Sequence, residues 1–418
     1  MERYSEYKDS GVQWLGEIPG HWKTVRVKAL LSERVDKSDT GLEEPLSMSQ
    51  KYGIIPTREM DVVPNMASTY IGAKRVFKQD LVFNKLKAHL GVFAISKYDG
   101  LVSPDYAVYT PNERTYLPFM EYVFHTPLYI GEFTRKATGV AIGLTRLYTN
   151  GLFAVPFLYP PLSEQHTIVS YLDDKCGKID KMLEGKQKQI ELLAEMKQRI
   201  IADAVTRGLN PDVKMKATNI PWLPEIPEHW ELRKMKYLFR ERSEKNHPAE
   251  PMLSATQTHG VILQSKYSGR VVVVNTGFEG LKLVKVGDFV IHLRSFQGGI
   301  ELAHDQGIIS SAYTVLSLND STQSNYFRYL FKSIPFIDLL KTCVTGIREG
   351  QNINYAKLKQ NRIPLPPLDE QRAIVSYITD KTSKIDTLTS KLQQEIESIK
   401  EYKQRLISDV VTGQIKVC

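Results

Sequence analysis

PPLSEQHTIVSYLDDKCGKID, from Pro160 to Asp180, recurs as PPLDEQRAIVSYITDKTSKID, from Pro366 to Asp386, with fourteen of twenty-one residues identical at an offset of 206. A repeat of this kind sets the architecture more firmly than local propensity, because each copy builds the same supersecondary unit. The repetition continues outward in both directions. WLGEIPGHW, Trp14 to Trp22, returns as WLPEIPEHW, Trp222 to Trp230, with seven of nine identical at an offset of 208. KQRIIADAVTRGL from Lys197 returns as KQRLISDVVTGQI from Lys403. Weaker echoes keep the same order: LSMSQKYGII beside LSATQTHGVI, DLVFNKLKAHLGV beside DFVIHLRSFQGGI, and ATGVAIG beside VTGIREG. The chain is two copies of one unit of roughly 207 residues.

Within each copy the character changes at a proline pair, Pro160-Pro161 and Pro366-Pro367. Before it, runs such as AVYT, LVFN, VVVVNTG and DFVIHL are short, β-branched or aromatic, and bounded by Gly, Asp, Asn and Pro, as strands joined by turns are. After it comes helix. Ser163 and Asp369, each followed by Glu-Gln, are predicted N-caps with negative charge in the first turn, and Gly177 is expected to break or bend the first copy. Beyond it, Ile179, Leu183, Lys186, Ile190, Leu193, Lys197, Ile200 and Ala204 alternate by three and four. Ile385, Thr389, Leu392, Ile396, Ile399, Lys403, Leu406 and Val410 do the same, and each set is apolar at six of eight positions, which is a coiled-coil seam.

A helix from about Gly177 to Arg207 would run roughly 45 Å at ~1.5 Å per residue, longer than a compact domain needs. Packing the two seams against each other, antiparallel, would set two globular units at opposite ends about a pseudo-two-fold axis. A private helical hairpin in each of two unrelated domains is the alternative. The predicted class is α+β: two duplicated mixed α/β globular units, 1–159 and 209–365, each followed by a helical segment, 160–208 and 366–418.

At 418 residues the chain has room for two or more cores. Lys plus Arg exceed Asp plus Glu by 55 − 47 = 8, and a pI near 9.0 suits a polyanionic partner. Cys176, Cys343 and Cys418 are odd in number and widely spaced, so neither a disulfide framework nor a zinc site is indicated and a reducing cytoplasm fits best. MERYSEYKDS at the N-terminus has no apolar core of a signal peptide, and no later apolar run approaches the ~18 residues of a membrane span.

Catalytic signatures are missing. There is no G-x-x-x-x-G-K-[ST] phosphate loop, and no Asn/Asp-Pro-Pro-aromatic tetrad of an adenine methyltransferase, since both proline pairs run on into leucine. A nuclease reading could be built from Pro104-Asp105 with Glu184-x-Lys186, or from Pro211-Asp212 with Glu401-x-Lys403. Their Glu-x-Lys pairs fall on the predicted coiled-coil helices as ordinary solvated charges. The nine histidines show no metal-binding spacing, so no cofactor is expected.

DNA reading asks only for cations that hold phosphates and forked or planar polar groups that meet base edges. Gly-flanked turns supply both. In the first copy these carry Gln50, Lys51 and Tyr52; Lys85, Lys87 and His89; and Thr145 with Arg146. The second carries Gln257 and His259; Arg294, Phe296 and Gln297; and Arg348, Gln351 and Asn352. Trp14, Trp22, Trp222 and Trp230 bracket a Leu-x-Glu-Ile-Pro turn expected to pack the domain edge onto its helix.

The doubled anchors WLGEIPGHW, PPLSEQ with Ile-Val-Ser-Tyr, and KQRIIADAVTRG resemble the specificity subunits of type I restriction-modification enzymes, over essentially the whole chain. The resemblance implies two target-recognition domains, each reading one half of a bipartite, asymmetric DNA target. It implies repeated helices that act as a ruler and bind two methylation subunits, with motor-nuclease subunits joining the complex. The chain itself would be non-catalytic. Strong divergence between the anchors implies two different half-sites. A coiled-coil scaffold that binds no DNA is the competing reading; it leaves the polar turns and the net positive charge without a role.

Overall fold

The structure is a computed structural model that describes residues 2–62, 69–139, 145–269, 277–293, 295–319, 324–345 and 352–417, and the backbone alone at His89 and Ser324. The chain forms two compact units, Met1–Lys186 with Gln394–Cys418, and Gln187–Gln393. Each holds part of both long helices, Leu162–Arg207 and Leu368–Val411.

The first unit is built on a four-stranded antiparallel sheet in the order Leu31–Arg34, Tyr106–Pro111, Leu81–Asn84, Phe93–Ile95. Side chains alternate faces along a strand, and here both faces are covered. Leu81, Phe83 and Phe93 join a large aromatic core with Phe124, Phe133 and Phe157, while Val82, Ala94 and Val108 join a smaller aliphatic core with Leu46, Ile54 and Val76. The second unit repeats the order with Phe239–Arg242, Thr314–Leu318, Phe289–Ile291 and Glu301–Leu302. Phe289 and Ile291 face the large core and Val290 the small one. The run VVVVNTG, read as strand, lies outside the described residues except for Gly277.

Buried ionic struts recur with the sheet. Arg34 clasps Asp80 through Nε at 2.9 Å and Nη2 at 3.0 Å. Arg242 clasps Asp288 likewise at 2.8 and 3.2 Å. Lys74 Nζ donates to the Tyr106 carbonyl at 2.7 Å, and Lys282 Nζ to that of Tyr313 at 2.7 Å. The two copies therefore share an internal frame where their sequences look least alike.

The helices begin two residues earlier than expected, at Leu162 and Leu368, which puts Ser163 and Asp369 inside the first turn rather than at the caps. Gln165 and Gln371 fold back onto the carbonyls of Pro160 and Pro366, each at 2.9 Å. Gly177 does not interrupt the helix. It sits exposed, with nothing near its α-carbon hydrogens, while Leu172 and Cys176 on the same stretch are buried and hold the helix in place.

Within the first unit Lys403 reaches Asp180 at 2.5 Å, and Lys186 pairs with Glu395. Numbers rise along one helix as they fall along the other, so the pairing is antiparallel. In the second unit Lys197 meets Asp386 at 2.6 Å. Exposed pairs of this kind fix register more than they stabilise; burial of the seam does the latter, through Leu406 and Val410 in the first unit and Ile385 and Leu392 in the second.

The Glu-Ile-Pro segment is a strand and not a turn. Glu17–Pro19 pairs with Tyr7–Asp9, and Leu223–Pro227 with Met215–Ile220, because Ile18 and Ile226 need a buried side of a ribbon. Two of the four tryptophans pack as expected, whereas Trp14 and Trp222 lie against Tyr129 and Phe336 on other helices. Trp22 and Trp230 are 0% and 1% exposed and donate to Glu164 at 3.1 Å and Glu370 at 2.9 Å, in the first turn of the long helices. His21 and His229 reach the same carboxylates at 2.8 Å. The opposite helix ends on these indoles too: Gly413, at φ +76°, lies against Trp22, and Gly208, at φ +79°, against Trp230.

Candidate nucleic-acid interface

In the first unit three turns converge. Gln50, Lys51 and Tyr52 cap the hairpin of Leu46–Ser49 and Gly53–Pro56, all exposed. The Gln50 amide donates to the Leu90 carbonyl, which binds this turn to the one carrying Lys85, Lys87 and His89. Leu147 N–H donates to the Lys85 carbonyl at 3.0 Å, and so brings Thr145 and Arg146 to the same place. The side chain of His89 lies outside the described residues.

The cations here are not equivalent. Lys51 lies over the Tyr52 ring at 4.4 Å and pairs with Asp61 at 3.1 Å, and Tyr52 OH donates to the same carboxylate at 2.8 Å. Contacts with Tyr52 and then Asp61 raise the Lys51 pKa, so it is a cation that carries its own counterion. Arg146 sits 3.6 Å from Asp105. Lys87 is exposed and has no ion-pair partner among the described residues. Burial, and then repulsion from Lys85, lowers the pKa of Lys74 against the opposing pull of Glu33.

In the second unit, Gln257 and His259 are exposed on the turn between Leu253–Thr256 and Gly260–Leu263. The Gln257 side chain lies against Gly298, at the end of the short helix Ser295–Gly298 that carries half-buried Phe296 and exposed Gln297. That helix also packs against Asn352–Ile353, which presents exposed Asn352. His259 Nδ1 is 2.8 Å from the Thr258 hydroxyl. Arg294, Arg348 and Gln351 lie outside the described residues.

Nuclease-like elements do not converge. Asp105 faces Arg146, whereas Lys186 and Lys403 are engaged across the helix pair. Among the described residues no group of three or more His, Cys, Asp or Glu is placed to hold a metal ion, and no helix is long and apolar enough to cross a membrane. Two features escaped the sequence reading. The Arg34–Asp80 and Arg242–Asp288 struts were legible in principle, since both partners recur at an offset of 208. Lys332, which contacts the Gln257 turn, carries no such signal.

Residues 226–398 match the type I restriction modification DNA specificity domain. A putative type I restriction enzyme MjaX specificity subunit from Methanocaldococcus jannaschii is 24% identical, with 96% of each chain covered. The chain is thus similar to type I restriction-modification specificity subunits, through a family model over much of its second copy and a relative over nearly its whole length. The chain also shares its fold with solved structures. One is a chain from work on complex assembly and conformational transition of the type I R-M system, with TM-score 0.68 and 16% identity over 95% of this chain and 99% of that one. Another is the HsdS subunit from Thermoanaerobacter tengcongensis, with TM-score 0.51 and 16% identity over 95% and 98%.

Proposed function

We propose that residues 1–159 and 209–365 are the two target-recognition domains, and that each reads one half of a bipartite, asymmetric double-stranded DNA target. The helical segments 160–208 and 366–418 set the spacing and dock two methylation subunits, which motor-nuclease subunits join in the full cytoplasmic complex. The chain supplies no chemistry of its own; adenine methylation and ATP-dependent cleavage belong to its partners.

The observation that carries this reading is one frame with two sets of tips. Sheet order, buried Arg–Asp strut and buried lysine recur, yet at equivalent turn positions the first unit has Lys51, Lys87 and His89 where the second has Thr258, Ser295 and Gln297. Forked and amide side chains discriminate base edges, whereas lysines mostly meet phosphate. Two such different tips on one frame suit two different half-sites.

Exchanging residues 212–363 for the corresponding segment of another specificity subunit tests this. The methylated motif of the assembled complex should change in one half-site only. A change in both halves, or in neither, would remove the reading.

A further inference from the structure

The turn at Gln257 and the short helix Ser295–Gly298 are distant in sequence, and one side chain joins them. Lys332, the last residue of the helix Ser324–Lys332, donates to the Gln257 carbonyl at 3.2 Å, to the Gly298 carbonyl at 2.9 Å, and to Glu301 Oε1 at 2.5 Å. An ammonium has three donors, and all three are engaged. Glu301 is 0% exposed, on the edge strand of the sheet, so the lysine is pinned from the core side. Gly299, at φ +91°, permits the close fit: a Cβ there would lie 2.3 Å from the Phe331 carbonyl oxygen.

The first unit ties its turns differently, through the Gln50 amide itself. Gln257 stands at the equivalent position, but there the lysine makes the tie. Among the described residues the Gln257 side chain makes no hydrogen bond, and it is exposed beside Gln297. An amide already committed to the fold is poorly placed to read a base, while an uncommitted one held in place is well prepared for it.

We propose that Lys332, anchored on buried Glu301, is a positioning residue for DNA reading. It fixes the two turns of the second unit relative to each other and leaves the Gln257 amide to a base edge. This rests on the reading that these turns face DNA. It makes half-site discrimination depend on an ion pair that touches no nucleotide, and only in the second unit.

The test uses the complex with its methylation subunits and the cognate duplex with single-base variants in each half-site. Lys332→Met combined with Glu301→Gln removes the tie without leaving a bare buried carboxylate. The expected result is a folded complex that loses about tenfold or more of its discrimination in the half-site read by the second unit, with the other half unchanged. Lys332→Arg, which keeps the charge but not the compact three-way donation, should shift the same half-site by a smaller factor and serves if the double variant does not fold. Arg242→Met with Asp288→Asn removes another ion pair of that unit and should leave discrimination intact. Wild-type discrimination in the folded double variant, or equal losses on cognate and variant DNA, overturns the proposal. Gln257→Ala separates the two levels. If it lowers discrimination while the Lys332 variants do not, the strut alone is wrong; if neither has an effect, the reading of these turns falls as well.

Discussion

Removing Arg242 should destabilise the second unit by about 2–3 kcal/mol, and the figure follows from what is left behind. Asp288 has a side chain 5% exposed and accepts from Arg242 at 2.8 and 3.2 Å, and from the Lys285 N–H at 2.8 Å. Arg242→Met takes away the charge and two of these three bonds. Breaking one side of a buried pair typically costs about 3–5 kcal/mol. Two features reduce it here: the Arg242 side chain is 21% exposed, so water reaches the pair, and the Lys285 amide stays. Protonation of the stranded carboxylate gives further relief, at about 1.4 kcal/mol per unit of pKa. For a unit of this size the loss corresponds to a fall of about 4–12 °C in melting temperature. Thermal unfolding, with hydrogen exchange resolved along the chain to separate the two units, reads it out. Arg242→Met with Asp288→Asn, which leaves no buried charge, should recover much of the loss. A single variant no less stable than the double one would refute the reasoning. Arg34→Met should cost a similar amount in the first unit, because Asp80 is clasped in the same way.

Lys87→Ala, which removes an exposed cation without an ion-pair partner among the described residues, should weaken cognate and non-cognate DNA alike and lower the salt slope by roughly one unit in titrations at several salt concentrations. Leu392→Ala in the buried seam should lower stability by about 2–4 kcal/mol in denaturant unfolding, whereas Leu388→Ala at an exposed position of the same helix should stay within about 0.5 kcal/mol. The Ser38 hydroxyl and then the Arg75 guanidinium hold the Glu43 carboxyl at about 2, against an ordinary value of 4.5. A depressed carboxylate stabilises fully above its ordinary pKa and loses that contribution as pH falls towards about 2, so Glu43→Gln should flatten the acid limb of an unfolding profile over that window.

What the sequence made legible is what repeats and what has a period. Ile385 and Leu392 were assigned to the seam by spacing alone and are buried. Trp22 and Trp230 stood in matching motifs and take matching places on Glu164 and Glu370. Local propensity misled where tertiary packing prevails. Gly177 stays helical because Leu172 and Cys176 are buried beside it, and Glu-Ile-Pro is extended because a partner strand is at hand. At the turns, residue type marked exposed polar positions but not the state of each side chain. Gln50 was a candidate base reader and is bonded to Leu90; Lys51 is met by Asp61, ten residues on (61 − 51 = 10). Such partners lie far apart along the chain or in segments without a pattern, and only folding brings them together.

Both members of each Arg–Asp strut lie within one copy of the repeat, Arg34 with Asp80 and Arg242 with Asp288. The alternative would have been clasps that reach from one copy to the other. A genetic crossover in the repeated helix-coding stretches therefore never separates a strut from its partner. Each recombinant inherits two intact frames, whatever tips they carry. The joints at the helix ends do join the two copies, since Trp22 meets Gly413 and Trp230 meets Gly208, but those are the very segments in which the copies agree. New combinations of tips can thus arise by shuffling, without selection first having to repair the fold.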